Sequence, residues 1–127
     1  MTRAASILLC VLLGGNGVVM LFAGAWWYGA VPGVTMTGPY NPHFVKDIGA
    51  AYLVCALAYG WLAARPTSSL ARGAAITSAL FLVLHAAIHI ADAVAGDHAG
   101  ADFARDFAGV FLPALLASWL VRPRPTP

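Results

Sequence analysis

The chain reads as an all-α integral membrane protein, four transmembrane helices in one antiparallel bundle with the N and C termini both cytoplasmic. Three observations predict this. Hydrophobic residues make up 61% of the 127 residues and charged residues 9%, whereas soluble domains carry about 25% charged residues. The apolar residues fall into four runs, each close to the ~20 residues that carry a helix across a bilayer. The connections between the runs are short, which favours up-down-up-down topology. The expected spans are about 4–28, 41–64, 72–95 and 102–121, all within a single domain, 1–127.

The first run is interrupted only by Asn16, in Gly14-Gly15-Asn16-Gly17. Arg3 before it and Ala23-Gly24-Ala25 within it resemble the flank and cleavage site of a secretory signal, but the run is longer than a signal core. Trp26, Trp27 and Tyr28 form an aromatic belt suited to a membrane interface. Asn16 is expected to hydrogen-bond to a neighbouring helix. Residues 29–40 carry Pro32, Gly33, Gly38 and Pro39, which is loop chemistry. Asn41-Pro42 then reads as an N-cap followed by proline at the first helical position. His43 and Asp47 stand at i and i+4 on this second helix, with Lys46 beside them able to reach toward headgroups.

Arg65-Pro66-Thr67-Ser68-Ser69 is a polar connection, and Arg72 opens the third helix. Gly96-Asp97-His98-Ala99-Gly100 is the next turn. The fourth helix starts near Asp102 as its N-cap, is expected to kink at Pro113, and ends at Val121. The tail from Arg122 to Pro127 is too proline-rich to continue it. Cys10 and Cys55 both lie inside apolar runs and read as buried free thiols.

Charge placement orients the bundle. Arg3, Arg65, Arg72, Arg122 and Arg124 fall at one side, and only Lys46 and Arg105 at the other. The positive-inside rule then makes the first side cytoplasmic. Every Asp and every His lies toward the opposite side. The net charge of +2 and the lack of a dense basic cluster argue against nucleic acid as a partner. The lipid bilayer is the expected partner, with a homo-oligomer or a larger membrane complex open. The alanine-, arginine- and proline-rich composition fits a bacterium of high genomic GC content, and with the four spans the expected location is the bacterial cytoplasmic membrane.

The residues that stand out are His85, His89 and Asp92, which share one helical face at i, i+4 and i+7. With a rise of ~1.5 Å per residue, Asp47 lies about 9 Å below Asn41 and His89 about 10 Å below Gly96, with His85 roughly 6 Å deeper. Asp106 sits about one turn into the fourth helix. A cluster of His43, Asp47, His85, His89, Asp92 and Asp106 is therefore expected in the outer leaflet, between the second and third helices. Ionisable groups in hydrocarbon are costly, and the default reading of them is functional. His98, Asp97 and Asp102 read as solvated or capping residues.

Four readings of the cluster arise. Imidazoles and carboxylates suit copper, iron or zinc, with His85, His89 and Asp92 as preferred ligands, Asp47 and His43 next, and Asp106 after them. A His–Asp pair can instead act as general acid and base on a lipid, with Tyr40, Tyr52 and Tyr59 as available phenols. Haem would need an axial His, usually from each of two helices, and no second helix offers one at the depth of His85. The groups can also satisfy one another and fix helix register, as in an accessory subunit of a larger complex. The metal site is the expected function, serving redox chemistry on a lipophilic substrate or metal delivery to a partner. The acid–base enzyme and the non-catalytic subunit are the alternatives.

The segment Asn41-Pro42-His43-Phe44-Val45-Lys46-Asp47-Ile48-Gly49-Ala50-Ala51-Tyr52-Leu53, followed by His85-x-x-x-His89-x-x-Asp92, resembles small uncharacterised bacterial four-helix membrane proteins. In size and topology the chain is similar to the DoxX-like group. The resemblance implies the four-helix fold. It implies no particular activity, because such proteins have no settled common one.

Overall fold

The computed structural model describes residues 2–123, and these are helical almost throughout. The elements are α1 (Thr2–Phe22), α2 (Gly24–Ala30), α3 (Pro42–Ala64), α4 (Ser69–Ala95), α5 (Ala99–Asp106) and α6 (Leu112–Val121). A 3-10 turn, Val34–Met36, lies between α2 and α3, and a π-helical turn, Phe107–Phe111, joins α5 to α6. Four stretches are long and apolar enough to cross a membrane: Thr2–Phe22, Pro42–Ala64, Ser69–Ala95 and Ala99–Val121. They correspond to the four expected spans, with changes at their ends that have local causes. Of the expected tail, Arg124 to Pro127 lie outside the described residues.

The first span was expected to run unbroken to Tyr28, but it breaks at Ala23 (φ −135°, ψ 37°). Trp27 Nε1 donates to Asn16 Oδ1 at 2.8 Å. On a straight helix these residues would be separated by roughly 16 Å along the axis, too far for the two side chains to meet. The break turns α2 so that they do. Asn16 therefore hydrogen-bonds to a neighbouring helix, as expected, and that helix is α2 of its own arm of the chain. Trp26 remains exposed, and the Tyr28 hydroxyl donates to the Gly38 carbonyl at 2.5 Å, tying α2 to the loop that follows.

α3 begins as the sequence indicates. Asn41 Oδ1 accepts from the backbone N–H groups of His43 and Phe44, each at 3.1 Å, and Pro42 fills the first position, where no N–H is needed. α4 starts earlier than the expected Arg72, because Ser68 caps it by accepting from Ala71 N at 3.2 Å. The last span starts at Ala99 rather than near Asp102. Its first turn is closed by the backbone N–H groups of Ala101 and Asp102 donating to the His98 carbonyl. Asp102 is thus inside the first turn, where a negative charge favours the helix dipole. The interruption expected at Pro113 takes the form of the π turn just before it. Proline lacks the N–H for the regular ladder and crowds the carbonyl four residues back, and the wider turn accommodates both.

Neighbouring spans run antiparallel, as paired positions along them show. A Cβ on Gly14 would touch Ala56, one on Gly60 would meet Cys10, and one on Gly17 would meet Gly49. Across the next pair Tyr52 faces His85 and Tyr59 faces Ala75. Across the third, Arg72 reaches Val121 and His89 reaches Asp106. α1 also packs on α6, which closes a ring in which only sequence neighbours and the two ends of the chain meet. The tightest crossing is α1 on α3. A Cβ on Gly17 would stand 2.7 Å from the Gly49 carbonyl oxygen, and one on Gly49 would stand 2.9 Å from Met20 Cβ. Only glycine lets the two backbones come this close.

Side-chain size is distributed inside out. Ten of the nineteen buried apolar residues among those described are alanine, while Val11, Phe22, Val54, Leu57, Leu70, Leu80, Ile88, Val94 and Leu115 point outward. A soluble domain would bury its large side chains and avoid wide exposed apolar patches. Helices packed in lipid place small residues at their contacts instead.

Candidate functional site

The polar residues gather near one end of the ring, where α4 lies between α3 on one side and α5 on the other. Tyr52 comes from the third turn of α3 and is buried, because its face of the helix also carries Gly49 and Ala56 toward the centre. Phe81, His85 and His89 follow one another at i, i+4 and i+8 on α4, so their rings stack along one face. The Phe81 and His85 planes are nearly parallel (7°, centroids 6.2 Å apart), and the His85 and His89 rings are tilted at 71° with centroids 4.8 Å apart. The Tyr52 ring meets Phe81 and His85 edge-on. Its hydroxyl lies 3.2 Å from His85 Nε2, a hydrogen bond whose direction follows the tautomer.

The fourth span contributes the charges. His89 Nδ1 donates to Asp106 Oδ2 at 2.7 Å. Arg105 Nε donates to Asp106 Oδ1 at 2.7 Å and its Nη2 to Oδ2 at 3.0 Å. Arg105 Nη1 donates to Asp102 Oδ1 at 2.6 Å. The result is a polar line from Tyr52 through His85 and His89 to Asp106, Arg105 and Asp102. Its charged end is also its more open end. Asp106 is only 9% exposed, whereas Arg105 and Asp102 are 28% and 23% exposed. The loop before α3 closes over Arg105. Gly33 sits there at φ +84°, and a Cβ on it would collide with the guanidinium.

Two chemical consequences follow. An ionised carboxylate only accepts, so Asp106 holds the His89 proton on Nδ1 and leaves the Nε2 lone pair as the ring's free basic position. Arg105 meets both oxygens of Asp106, a forked contact that keeps the carboxylate charged and fixed.

Three of the six expected site residues, His85, His89 and Asp106, come together. His43 and Asp47 pair with each other at 3.4 Å on the outward face of α3, 89% and 61% exposed. Asp92 is exposed as well. It stands i+3 from His89, but no hydrogen bond or ion pair links it to the site among the described residues. The expected levels and spacings were compatible with one cluster; the helix rotations are not. Arg105, expected only as a charge of the outer side, is the partner of Asp106. Its position beside Asp106 and three residues after Asp102 was the available signal. Of the three tyrosines, the structure puts Tyr52 at the site. Tyr40 packs on Tyr28, and Tyr59 donates to the Ala75 carbonyl.

The arrangement gives no support to the expected copper, iron or zinc site. No group of three or more His, Cys, Asp or Glu among the described residues is disposed to hold a metal ion. Asp106 has both oxygens committed to Arg105 and His89. His85 Nε2, the atom an axial haem ligand would use, is bonded to the Tyr52 hydroxyl. Compared with known proteins, the chain matches no family model, no curated protein and no solved structure.

Proposed function

We propose that the four long helices span a bacterial cytoplasmic membrane, both termini inside, and that the bundle performs acid–base chemistry on a lipophilic molecule with His89 as the base. The spanning reading is supported by the outward Leu, Val, Ile and Phe side chains around an alanine-rich interior. The orientation is supported by the arginines gathered at the end that holds Arg3, Arg65, Arg72 and Arg122. The catalytic reading is carried by one observation, the 2.7 Å bond from His89 Nδ1 to Asp106. A carboxylate that fixes the tautomer of an imidazole and stabilises its protonated form is what a general base requires.

In this reading the substrate presents an acidic C–H to His89 Nε2. Asp106 stabilises the imidazolium that forms, and Arg105 keeps Asp106 ionised. His85, hydrogen-bonded to Tyr52 at the inner end of the line, is the adjacent group able to give or take a proton. The alternative of a non-catalytic subunit draws on a different observation: no buried side-chain nitrogen or oxygen among the described residues lacks a partner, as a purely architectural network requires.

Deuterium exchange separates the two. Purified protein in bilayer discs is incubated in D2O with a total lipid extract, and label in individual lipids is read by mass spectrometry. A general base labels one lipid class with the wild type and not with His89→Gln. Equal labelling by wild type, His89→Gln and empty discs rules out the base. Loss of a co-purifying protein on His89→Gln with no labelling difference supports the subunit.

A further inference from the structure

The end of the bundle away from His89 carries positive charge, and no acidic side chain lies there among the described residues. Arg3 starts α1, Arg65 lies in the α3–α4 connection, Arg72 is in the first turn of α4, and Arg122 follows α6. All five Asp of the chain, residues 47, 92, 97, 102 and 106, belong to the other end, and the chain has no Glu. Each ion pair among the described residues is made there too, by His43, His89 or Arg105.

A cavity of about 40 Å³ opens among these arginines. Arg3 and Arg72 line it together with the hydroxyl residues Thr2 and Ser6, and Leu62 and Leu120 form apolar walls. Arg72 is held in place: its Nη2 donates to the carbonyls of Val121 at 2.7 Å and Arg122 at 3.0 Å. Those bonds use one nitrogen of a five-donor fork. The remaining N–H groups stay available, on a guanidinium that has already lost its rotational freedom. Arg3 brings a second fork, and the first turn of α1 directs its amide groups toward the same end.

We propose that this cavity binds a phosphate group, that of an anionic phospholipid headgroup. Two forked cations and a hydroxyl suit the oxygens of a phosphate. The cavity is at the level of the helix ends, where headgroups stand against a spanning helix. The proposal rests on the spanning reading and is independent of the His–Asp chemistry.

The test is retention of lipid. Protein released from bilayer discs of phosphatidylglycerol and phosphatidylcholine in equal amounts is weighed intact by native mass spectrometry. One phosphatidylglycerol should be retained in preference to phosphatidylcholine. Arg3→Gln should lower that retention about fivefold, the worth of one cation near an anionic bilayer surface. Arg122→Gln removes the same charge from a side chain that sits over Trp119, outside the cavity, and should leave retention unchanged. A parallel arm heats delipidated protein in neutral detergent with inorganic phosphate alone. Stabilisation of the wild type and not of Arg3→Gln there, without lipid preference in the discs, assigns the same phosphate site to the free anion. No lipid preference together with no response to phosphate overturns the proposal. So does an equal loss on Arg3→Gln and Arg122→Gln, which would reduce the effect to diffuse attraction. A spanning bundle that lacks the site still assembles in discs, so failure here is distinct from failure of the membrane reading.

Discussion

Replacing Asp106 by Asn keeps the shape of the side chain and removes its charge. Asp106 accepts three hydrogen bonds, one from His89 and two from Arg105. Hydrogen bonds to charged groups contribute about 1.5–3 kcal/mol each, and stripping one partner from a fully buried ion pair costs about 3–5 kcal/mol. Neither figure applies in full. Arg105 keeps its bond to Asp102 and is 28% exposed, so its charge is partly solvated once Asp106 is gone. The expected loss is therefore about 2 kcal/mol, between the median for exposed pairs and the buried limit. Unfolding in mixed micelles with rising sodium dodecyl sulfate, followed by circular dichroism, measures it. Nitrogen NMR of labelled histidine reads the second consequence. In the wild type His89 should carry its proton on Nδ1 alone, and Asp106→Asn, whose amide can donate as well as accept, should release that preference. If stability stays within about 0.5 kcal/mol of wild type, the range of ordinary surface substitutions, and the tautomer does not change, Asp106 does not hold His89.

The glycine crossing supplies an independent check. Gly49→Ala should destabilise by about 1–3 kcal/mol, the usual cost of overpacking, because its Cβ would stand 2.9 Å from Met20 Cβ; Gly15→Ala, which meets nothing within 4 Å, should cost nothing in the same unfolding assay. Gly33→Ala places a side chain at positive φ and against the Arg105 guanidinium, so it should lower stability and also disturb the His89 nitrogen signals, although Gly33 touches no histidine bond. Tyr52→Phe removes the hydroxyl from His85 while keeping the edge-on ring contacts, and should cost about 1 kcal/mol, one neutral hydrogen bond. Arg72→Gln should loosen the end of α6, seen as faster amide exchange at the last turn, since the guanidinium holds the carbonyls of Val121 and Arg122.

The four long apolar helices and the start of α3 were legible because they depend on local properties: run length, hydropathy, and a cap residue followed by proline. Ser68 was equally available as a cap, but the basic residue Arg72 drew the boundary away from it. The break at Ala23 was not legible. It is tied to a bond between Asn16 and Trp27, eleven residues apart, which no helical periodicity brings together. The candidate site was legible in part. His85 and His89 share a face of one helix whatever surrounds them. Which partners they meet depends on the rotation of α3 and α5, and rotation is set by tertiary contacts such as Gly17 on Gly49. That is why His43 and Asp47, placed at a suitable depth, turned outward, while Asp106 turned in with Arg105.

The two ways in which the spans are fastened give the bundle a grain. α1 and α3 are joined backbone to backbone at their glycines. α4 and the last span are riveted at opposite ends, by Arg72 on the carbonyls after α6 and by His89 on Asp106. The polar contacts across the packed seam between α3 and α4 come from two tyrosine hydroxyls, Tyr52 to His85 and Tyr59 to the Ala75 carbonyl at 3.4 Å. Among the described residues, the Tyr52 hydroxyl is thus also the one polar group that His85 meets across this seam, so any shift of α3 against α4 is felt first at His85 Nε2.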